Sequence, residues 1–136
     1  MRKLTYCDAL REAMVQEMER DKSVFVYGIG VPDHKAIFGT TAGIQERFGA
    51  QRCFDTPLAE DTMSGFGLGA ALNGLRPINI HIRVDFLLLA MNQIANMISC
   101  CRYSSRGMLK APMVIRAVIG RGWGHGFQHS KSSHAV

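Results

Sequence analysis

The sequence predicts an α/β protein with a mostly parallel sheet and helices on both faces. Three segments rich in β-branched and aromatic residues have the character of strands: 24–27, 77–82 and 113–119. Segments with helical periodicity separate them, and strands that alternate with helices are typical of parallel sheets. With 136 residues, the chain suits one domain, for which we take the bounds 1–136.

The first part of the chain predicts a helix followed by a strand. Thr5 and Asp8 form a capping pattern, and every fourth residue from Tyr6 to Met18 is apolar, which predicts a helix with one apolar stripe. Strand 24–27 follows and breaks at Gly28.

The middle part predicts two more helices. One covers about residues 41–48 and ends at the cap Gly49, and residues 52–54 form a short strand after it. A helix of small residues then begins near residue 60 and stops at Gly74.

The last part predicts a strand, a long helix over 86–103 and another strand. Apolar and polar residues alternate along strand 77–82, which places Asn79 and His81 on one face. Ligands of such sheets bind beyond the carboxyl ends of strands, where we expect three loops, at 28–39, 83–86 and 120–129.

The formal net charge of +5 is unevenly spread, because residues 86–136 contain six basic and no acidic residues. This basic part could face an anionic substrate, an acidic partner or nucleic acid. No dense basic run with interleaved aromatics and no nucleic-acid-binding motif is present, so we expect no nucleic-acid partner.

We expect a soluble, cytoplasmic protein. The longest apolar run, 86–91, is too short to cross a bilayer, and the basic start at Met1 is not followed by the apolar core of a secretory signal. The four cysteines lack disulfide or Cys-x-x-Cys spacing, so we expect free, buried thiols. They are Cys7, Cys53, Cys100 and Cys101.

Glu60 precedes an unusual stretch of small residues with glycines at alternate positions. Each glycine costs a helix about 1 kcal/mol against alanine, so close approach of a backbone or a ligand would have to compensate. Glu60, Gly65, Phe66 and Gly69 together resemble the pattern shared by thiamine diphosphate enzymes. The alternative is that the glycines only permit helix contact and Glu60 is a solvated carboxylate favoured by the helix dipole.

Further landmarks extend the resemblance to nearly the whole chain. They are similar, in order and spacing, to the β subunit of thiamine-dependent 2-oxo acid dehydrogenases, such as the pyruvate dehydrogenase β subunit. The resemblance implies the pyrimidine-binding domain fold of transketolase-like enzymes. The landmark segments are 18–21, 24–26, 47–49, 55–57, 69–71, 74–77 and 128–130.

The resemblance implies a set of site residues. Glu60 would share a proton with the cofactor's aminopyrimidine ring and so activate the thiazolium carbon, and Phe86 would stack on that ring. Leu58 and Ile82 would line the same pocket, and His129 would face the substrate as a catalytic group. For Phe86, Leu58 and Ile82 the alternative is an ordinary place in the core.

The resemblance also implies partners. An α-type subunit would hold the diphosphate and Mg²⁺, since this sequence lacks the family's Gly-Asp-Gly…Asn signature. The helix containing Gly65 and Gly69 would pack across a subunit interface, in a heterotetramer that decarboxylates a small 2-oxo acid and transfers the acyl or aldehyde unit.

Other sites have weaker support. A zinc site at His125, His129 and His134 would need a stable helix to present these ligands. The sequence does not favour one there, so we expect no metal site in this chain. The glycine-rich segment 120–126 matches no phosphate-binding motif and reads as an active-site loop, in which Arg121 could contact an acidic substrate.

Arg83 and Asp85 flank the cofactor position in the resemblance. They could contact an acidic substrate as Arg121 could, but a surface ion pair is the default expectation for two such charges.

Two departures from the family favour a rival function. Many β subunits have glutamates where Ile29 and Gly30 stand here, and the family continues well past Val136. We expect a domain that is incomplete at its C terminus, through truncation or a split gene. The rival is a non-catalytic or regulatory interaction domain derived from the same fold.

Overall fold

The computed structural model describes residues 2–33, 35–120 and 124–133. Its strands are β1 (Val24–Gly28), β2 (Cys53–Phe54), β3 (Arg76–His81) and β4 (Val114–Ala117). Its α-helices are α1 (Tyr6–Arg20), α2 (Ile44–Phe48), α3 (Glu60–Leu72), α4 (Val84–Leu87) and α5 (Cys101–Ser104). Shorter helical segments are the 3₁₀ turns Ala36–Gly39, Leu88–Ala90 and Phe127–His129 and the π-helix Asn92–Ile98.

Within those ranges the strands form one sheet in the order β2-β1-β3-β4, and every pair is parallel. The predicted α/β class with a parallel sheet is therefore confirmed. Because all strands run in the same direction, their carboxyl ends meet at one edge of the sheet, which is where a ligand site is expected.

The residues of β1 alternate between two cores. Val24 and Val26 pack with α1, through Met14 and Met18, on one face. Phe25 and Tyr27 pack with Met63 of α3 on the other face. Both sides of the sheet are therefore covered by helices, which explains why all five residues of β1 are buried.

Helix α1 begins as predicted, because the Thr5 side chain accepts a hydrogen bond from the Asp8 amide. The predicted apolar stripe is buried only at its end: Met14 and Met18 are in the core, whereas Tyr6 is 82% exposed.

Helix α2 starts at Ile44, later than the predicted residue 41. The Thr41 hydroxyl donates to the Val31 carbonyl, and Gly43 adopts the left-handed conformation at φ +75°, so the preceding residues form turns. Gly49 ends the helix as predicted, at φ +82°.

The predicted long helix over 86–103 is broken into short segments, and it starts earlier, at Val84. The Ser99 hydroxyl and the Cys100 thiol both donate to the Ala95 carbonyl, at 2.6 and 3.4 Å, which accompanies the change from α to π geometry. Phe86 is therefore inside α4 and does not open the helix.

In the described ranges, no single helix has the length and apolar character needed to cross a membrane. The segments 84–90 and 92–104, bent by 51° at their junction, pass that test only when taken together, on length and composition alone.

The four cysteines are free thiols, as predicted, but only two are buried. Cys53 and Cys101 are in the interior, Cys7 is half-buried, and Cys100 is exposed. The expectation of buried thiols was wrong for Cys100.

Candidate active site

A cavity of about 310 Å³ lies beyond the carboxyl ends of β1 and β3. This is within the range of cavities that bind small molecules, about 300–1,000 Å³. Most of its wall is apolar, and its polar side chains are Glu60, His81, Arg83, His125 and His129.

All five residues predicted from the sequence line this cavity: Leu58, Glu60, Ile82, Phe86 and His129. They come from separate segments, namely the loop before α3, the start of α3, the end of β3, α4 and the 3₁₀ turn near the C terminus. The parallel topology brings these distant segments together, whereas their roles toward a ligand remain predictions.

Glu60 is the first residue of α3, and its side chain is half-buried in the cavity wall. Ala59 precedes it and provides no side-chain cap, so the carboxylate lies at a helix N-terminus whose dipole favours a negative charge. Glu60 therefore has the helix N-terminus of the alternative considered for it, together with partial burial in a cavity wall.

Phe86 and His129 form an aromatic pair in the cavity wall. Their ring centroids are 5.1 Å apart and the rings are inclined at 72°. The His129 Nδ1 atom is buried and has no hydrogen-bond partner among the described residues. This nitrogen is therefore a polar group that a ligand or water could satisfy. Leu58, by contrast, is 77% exposed and forms only the rim.

His81 is a cavity residue that the sequence did not single out. It is 3% exposed, and its Nε2 atom accepts a hydrogen bond from Asn79 Nδ2 at 3.1 Å. Asn79 Nδ2 also lies 3.4 Å from the Ser64 hydroxyl of α3. Burial lowers the pKa of His81, and the nearby Glu60 carboxylate opposes that shift. The signal in the sequence was the polar alternation of Asn79 and His81 within an apolar strand.

The default expectation of a surface ion pair for Arg83 and Asp85 was wrong, because both side chains are buried, at 3% and 7% exposure. Arg83 Nη2 donates to His125 Nδ1 at 3.2 Å, and its guanidinium lies 5.2 Å from the centre of the Phe38 ring. Asp85 Oδ1 accepts from the Lys131 amide at 3.2 Å. The C-terminal segment folds over both residues and removes them from the surface.

The two positions where the family often has glutamates are also at this site. Ile29 contributes an apolar side chain to the cavity wall. The Gly30 amide donates to Asp55 Oδ1 at 2.8 Å, which joins the end of β1 to the loop that leads into α3.

Arg121 and His134 lie outside the described residues. The proposed contact of Arg121 with a substrate and the three-histidine zinc site therefore have no structural description. Among the residues that are described, no three His, Cys, Asp or Glu side chains are grouped closely enough to hold a metal ion.

Comparison with known proteins gives a consistent result over the chain. The family described as "Transketolase, pyrimidine binding domain" matches residues 2–134. The 2-oxoisovalerate dehydrogenase subunit beta of Bacillus subtilis (strain 168) is 43% identical over 133 residues, which are 98% of this chain and 41% of that protein.

Two plant and algal relatives are similar to the same extent. The pyruvate dehydrogenase E1 component subunit beta-3, chloroplastic, of Oryza sativa subsp. japonica is 44% identical over 124 residues, 91% of this chain and 32% of that protein. The pyruvate dehydrogenase E1 component subunit beta of Chaetosphaeridium globosum is 44% identical over 124 residues, 91% of this chain and 38% of that protein.

The chain thus spans between about a third and two fifths of the length of the curated relatives it matches. The matched family covers nearly all of the chain, and the parallel α/β fold agrees with it. On these grounds the chain belongs to the transketolase pyrimidine-binding domain family.

Proposed function

We propose that this chain is the pyrimidine-binding part of a thiamine diphosphate-dependent 2-oxo acid dehydrogenase, a β-type component that is active only with a partner subunit. One observation carries the proposal: the Glu60 carboxylate is held in the wall of a largely apolar cavity beside Ile82 and Phe86. The names of the relatives, which are β subunits of such dehydrogenases, support the reaction class.

The cavity residues fit the aminopyrimidine end of the cofactor. A flat heteroaromatic ring needs apolar walls and a few polar groups at its edge, and the wall offers Ile82, Met63 and the ring of Phe86 with one carboxylate. The buried and unsatisfied Nδ1 atom of His129 is a further polar group available to a ligand in this cavity.

Thiamine diphosphate, when bound, would supply the nucleophilic carbon and the electron sink that decarboxylation of a 2-oxo acid requires. Glu60 would hold a proton between its carboxylate and a pyrimidine ring nitrogen. Glu60 is only partly exposed, so a pyrimidine ring bound against it would exclude further water from this contact. Phe86 and Ile82 would keep the ring in the plane that this contact needs.

His129 would act on the substrate side of the same cavity. Its ring is packed against Phe86, which fixes its orientation, and imidazole can donate or accept a proton near neutral pH. We assign it the transfer of a proton to or from the reacting substrate.

The partner would be an α-type subunit that holds the diphosphate and Mg²⁺, together forming a heterotetramer. The absence of the Gly-Asp-Gly…Asn signature from this sequence supports that division of the site. The Gly69 face of α3 is proposed as the self-association surface, because a Cβ atom added there would meet no described residue within 4 Å outside its own helix turns. The free thiols fit a reducing compartment such as the cytoplasm.

The test replaces Glu60 with glutamine in the assembled two-subunit enzyme. Glu60→Gln keeps the size of the side chain but cannot hold the proton, so exchange of the cofactor's thiazolium proton with solvent should slow by about 100-fold or more. Cofactor affinity, measured by calorimetry, should remain within a few-fold. The matched control is Glu46→Gln, at an exposed carboxylate of α2, which should change neither quantity.

Ile29 favours the second candidate, a non-catalytic interaction domain, because an apolar side chain stands in the cavity where many relatives are expected to have a carboxylate. The same experiment separates the two candidates. A wild-type assembly that binds the cofactor but exchanges the thiazolium proton no faster than free thiamine diphosphate would favour the interaction domain.

A further inference from the structure

His129, the candidate catalytic histidine, lies in a short segment that comes to the cavity from far along the chain. It ends the 3₁₀ turn Phe127–His129, and its amide donates to the Gly126 carbonyl at 3.4 Å. A single 3₁₀ turn has poor hydrogen-bond geometry and little stability of its own. The position of the imidazole must therefore be set by contacts between the segment 124–133 and the rest of the protein.

Two neighbouring residues of α4 make such contacts. Asp85 Oδ1 accepts a hydrogen bond from the Lys131 amide at 3.2 Å, two residues beyond His129. The Phe86 ring packs against the His129 ring in a T-shaped contact, with the centroids 5.1 Å apart. Asp85 thus holds the main chain of the segment, while Phe86 restricts the direction of the imidazole ring.

Helix α4 is itself fastened to the sheet. It begins soon after β3 ends, and the Val84 amide donates to the Val118 carbonyl at 2.9 Å, just past the end of β4. The Val118 amide in turn donates to the His81 carbonyl of β3 at 3.4 Å. Because the start of α4 is bonded to segments that follow two paired strands, Asp85 and Phe86 stand on a fixed support. A site residue is positioned more precisely by regular elements of the fold than by a loop.

The carboxylate of Asp85 is costly for the stability of the fold. The residue is 7% exposed, and its Oδ2 atom is buried without a hydrogen-bond partner among the described residues. In the same part of the chain, no Lys, Arg or His forms an ion pair with it. Burial of a charge without a paired cation costs free energy, but a carboxylate accepts a stronger hydrogen bond than a neutral oxygen does. This cost is consistent with a residue that is needed to hold the Lys131 amide.

We propose that Asp85 is a positioning residue: by holding the Lys131 amide, it fixes His129 beside Phe86 in the cavity wall. This inference rests on the proposed function, which assigns proton transfer to His129. Among the described residues, Asp85 is not part of the cavity lining, so it acts through His129 and not on the ligand.

The first experiment measures hydrogen exchange of peptides from the segment 124–133, by mass spectrometry, in the complex of this chain with its diphosphate-binding partner. Asp85→Ala removes the acceptor, so exchange should become about 10-fold faster, the usual effect of losing a hydrogen bond to a charged group. Asp85→Asn keeps an acceptor and should restore most of the protection. Asp85→Leu fills the space without an acceptor and replaces Asp85→Ala if that variant does not fold.

Lys131→Ala is the matched control for the exchange experiment. The contact uses the main-chain amide of Lys131, whereas its side chain is exposed. The variant keeps the donor and should leave the exchange of the segment unchanged.

The second experiment is a double-mutant cycle of Asp85→Ala and His129→Ala in the same complex. The substrates are pyruvate and 2-oxoisovalerate, the 2-oxo acids in the names of the relatives. Asp85→Ala alone should lower kcat by about 10-fold or more and leave KM and cofactor affinity within a few-fold. With His129 already replaced, Asp85→Ala should cost less than about 2-fold, because groups that act as a unit are not additive. Asp85→Asn should restore most of kcat.

The outcomes separate this inference from the proposed function. Unchanged exchange in the variants without an acceptor would overturn the anchor, whatever the complex catalyses. Faster exchange with equal losses of kcat in both backgrounds would mean that Asp85 supports the fold alone, and an unchanged kcat in His129→Ala would also overturn the positioning role. A wild-type complex that decarboxylates no 2-oxo acid would refute the proposed function, while the exchange data would still decide whether Asp85 holds the segment.

Discussion

At the scale of single residues, burial determines what the polar groups near the cavity can do. His81 is fixed between β3 and α3 because Asn79 Nδ2 donates to its Nε2 atom, which leaves the proton of the neutral ring on Nδ1. Its pKa is lowered by burial, so the folded protein favours the neutral ring. The ring lines the same cavity as Glu60, whose carboxylate opposes this lowering of the pKa.

We predict that His81 makes stability depend on pH below neutrality. The unfolded chain binds the proton near the ordinary pKa of 6.5, whereas the folded chain resists it, so stability is highest above that value. As pH falls below 6.5, the free energy of unfolding should drop by up to about 1.4 kcal/mol per pH unit until the lower pKa of the folded state is reached.

Urea unfolding of the wild type and of His81→Gln between pH 7.5 and pH 5 tests this prediction. Glutamine keeps a polar group next to Asn79 but does not titrate, so the variant should show a flatter dependence. Equal slopes for the two proteins would assign the pH dependence to other groups.

At the scale of elements, the three glycines of α3 differ in how closely the rest of the protein packs against them. A Cβ atom at Gly67 would lie 2.2 Å from the Tyr27 hydroxyl, which itself donates to the Met63 carbonyl at 2.8 Å. A Cβ atom at Gly65 would lie 3.2 Å from Gln93 Oε1. At Gly69 it would meet none of the residues that the structure describes within 4 Å, the adjacent turns of its own helix apart. Close packing inside the chain therefore explains Gly67 and contributes at Gly65, but it does not explain Gly69.

Gly67→Ala and Gly69→Ala form a matched pair on the same helix. Both gain helix propensity, about 1 kcal/mol, but only Gly67→Ala forces Tyr27 to move, and overpacking costs about 1–3 kcal/mol. We predict that Gly67→Ala unfolds at lower urea concentration than the wild type and Gly69→Ala at higher concentration. Equal stabilisation of both variants would show that the contact between α3 and Tyr27 is not tight.

We also predict that Gly69→Leu disrupts self-association of the assembled protein without unfolding it. Leucine would fill the space that a second helix needs, because the close approach permitted by glycine is lost. Analytical ultracentrifugation should show a smaller species. The control Ala13→Leu adds the same side chain at an exposed position of α1 and should leave the mass unchanged. If the mass is also unchanged in Gly69→Leu, with an intact fold, this face of α3 is not the interface.

At the scale of the whole molecule, the parallel sheet gathers the candidate site at one edge, and this chain contributes one wall of it. Three cavity residues come from the segment between β3 and the end of α4, and others follow β4. Thiamine diphosphate is a large and highly charged ligand, and the groups assigned here contact only its pyrimidine end.

We therefore predict that this chain alone binds thiamine diphosphate with Mg²⁺ at least about 100-fold more weakly than the same chain mixed with its α-type subunit. Two charge-assisted hydrogen bonds to the diphosphate, at about 1.5 kcal/mol or more each, suffice for that factor. Calorimetry on the chain, on the α-type subunit and on the mixture checks it. Tight, Mg²⁺-dependent binding by this chain alone would mean that the diphosphate half of the site has been assigned to the wrong subunit.

The sequence by itself determined the fold class and five of the residues that line the cavity. The β-branched runs at β1 and β3, the Thr5 cap and the Gly49 stop are local signals, set by backbone preferences within a few residues, and these were confirmed. The resemblance around Glu60 then identified Leu58, Ile82, Phe86 and His129, all of which line one cavity.

Only the tertiary structure decided which charges are buried and which glycines are packed. Arg83 and His81 are buried because segments far away in sequence pack against them. Examples are the segment that contains His125 and the helix that contains Ser64. Gly67 differs from Gly69 because the side chains of Tyr27 in β1 and of Met113 lie against it. Burial and contact depend on residues brought together by the fold, so no local pattern in the chain contains that information.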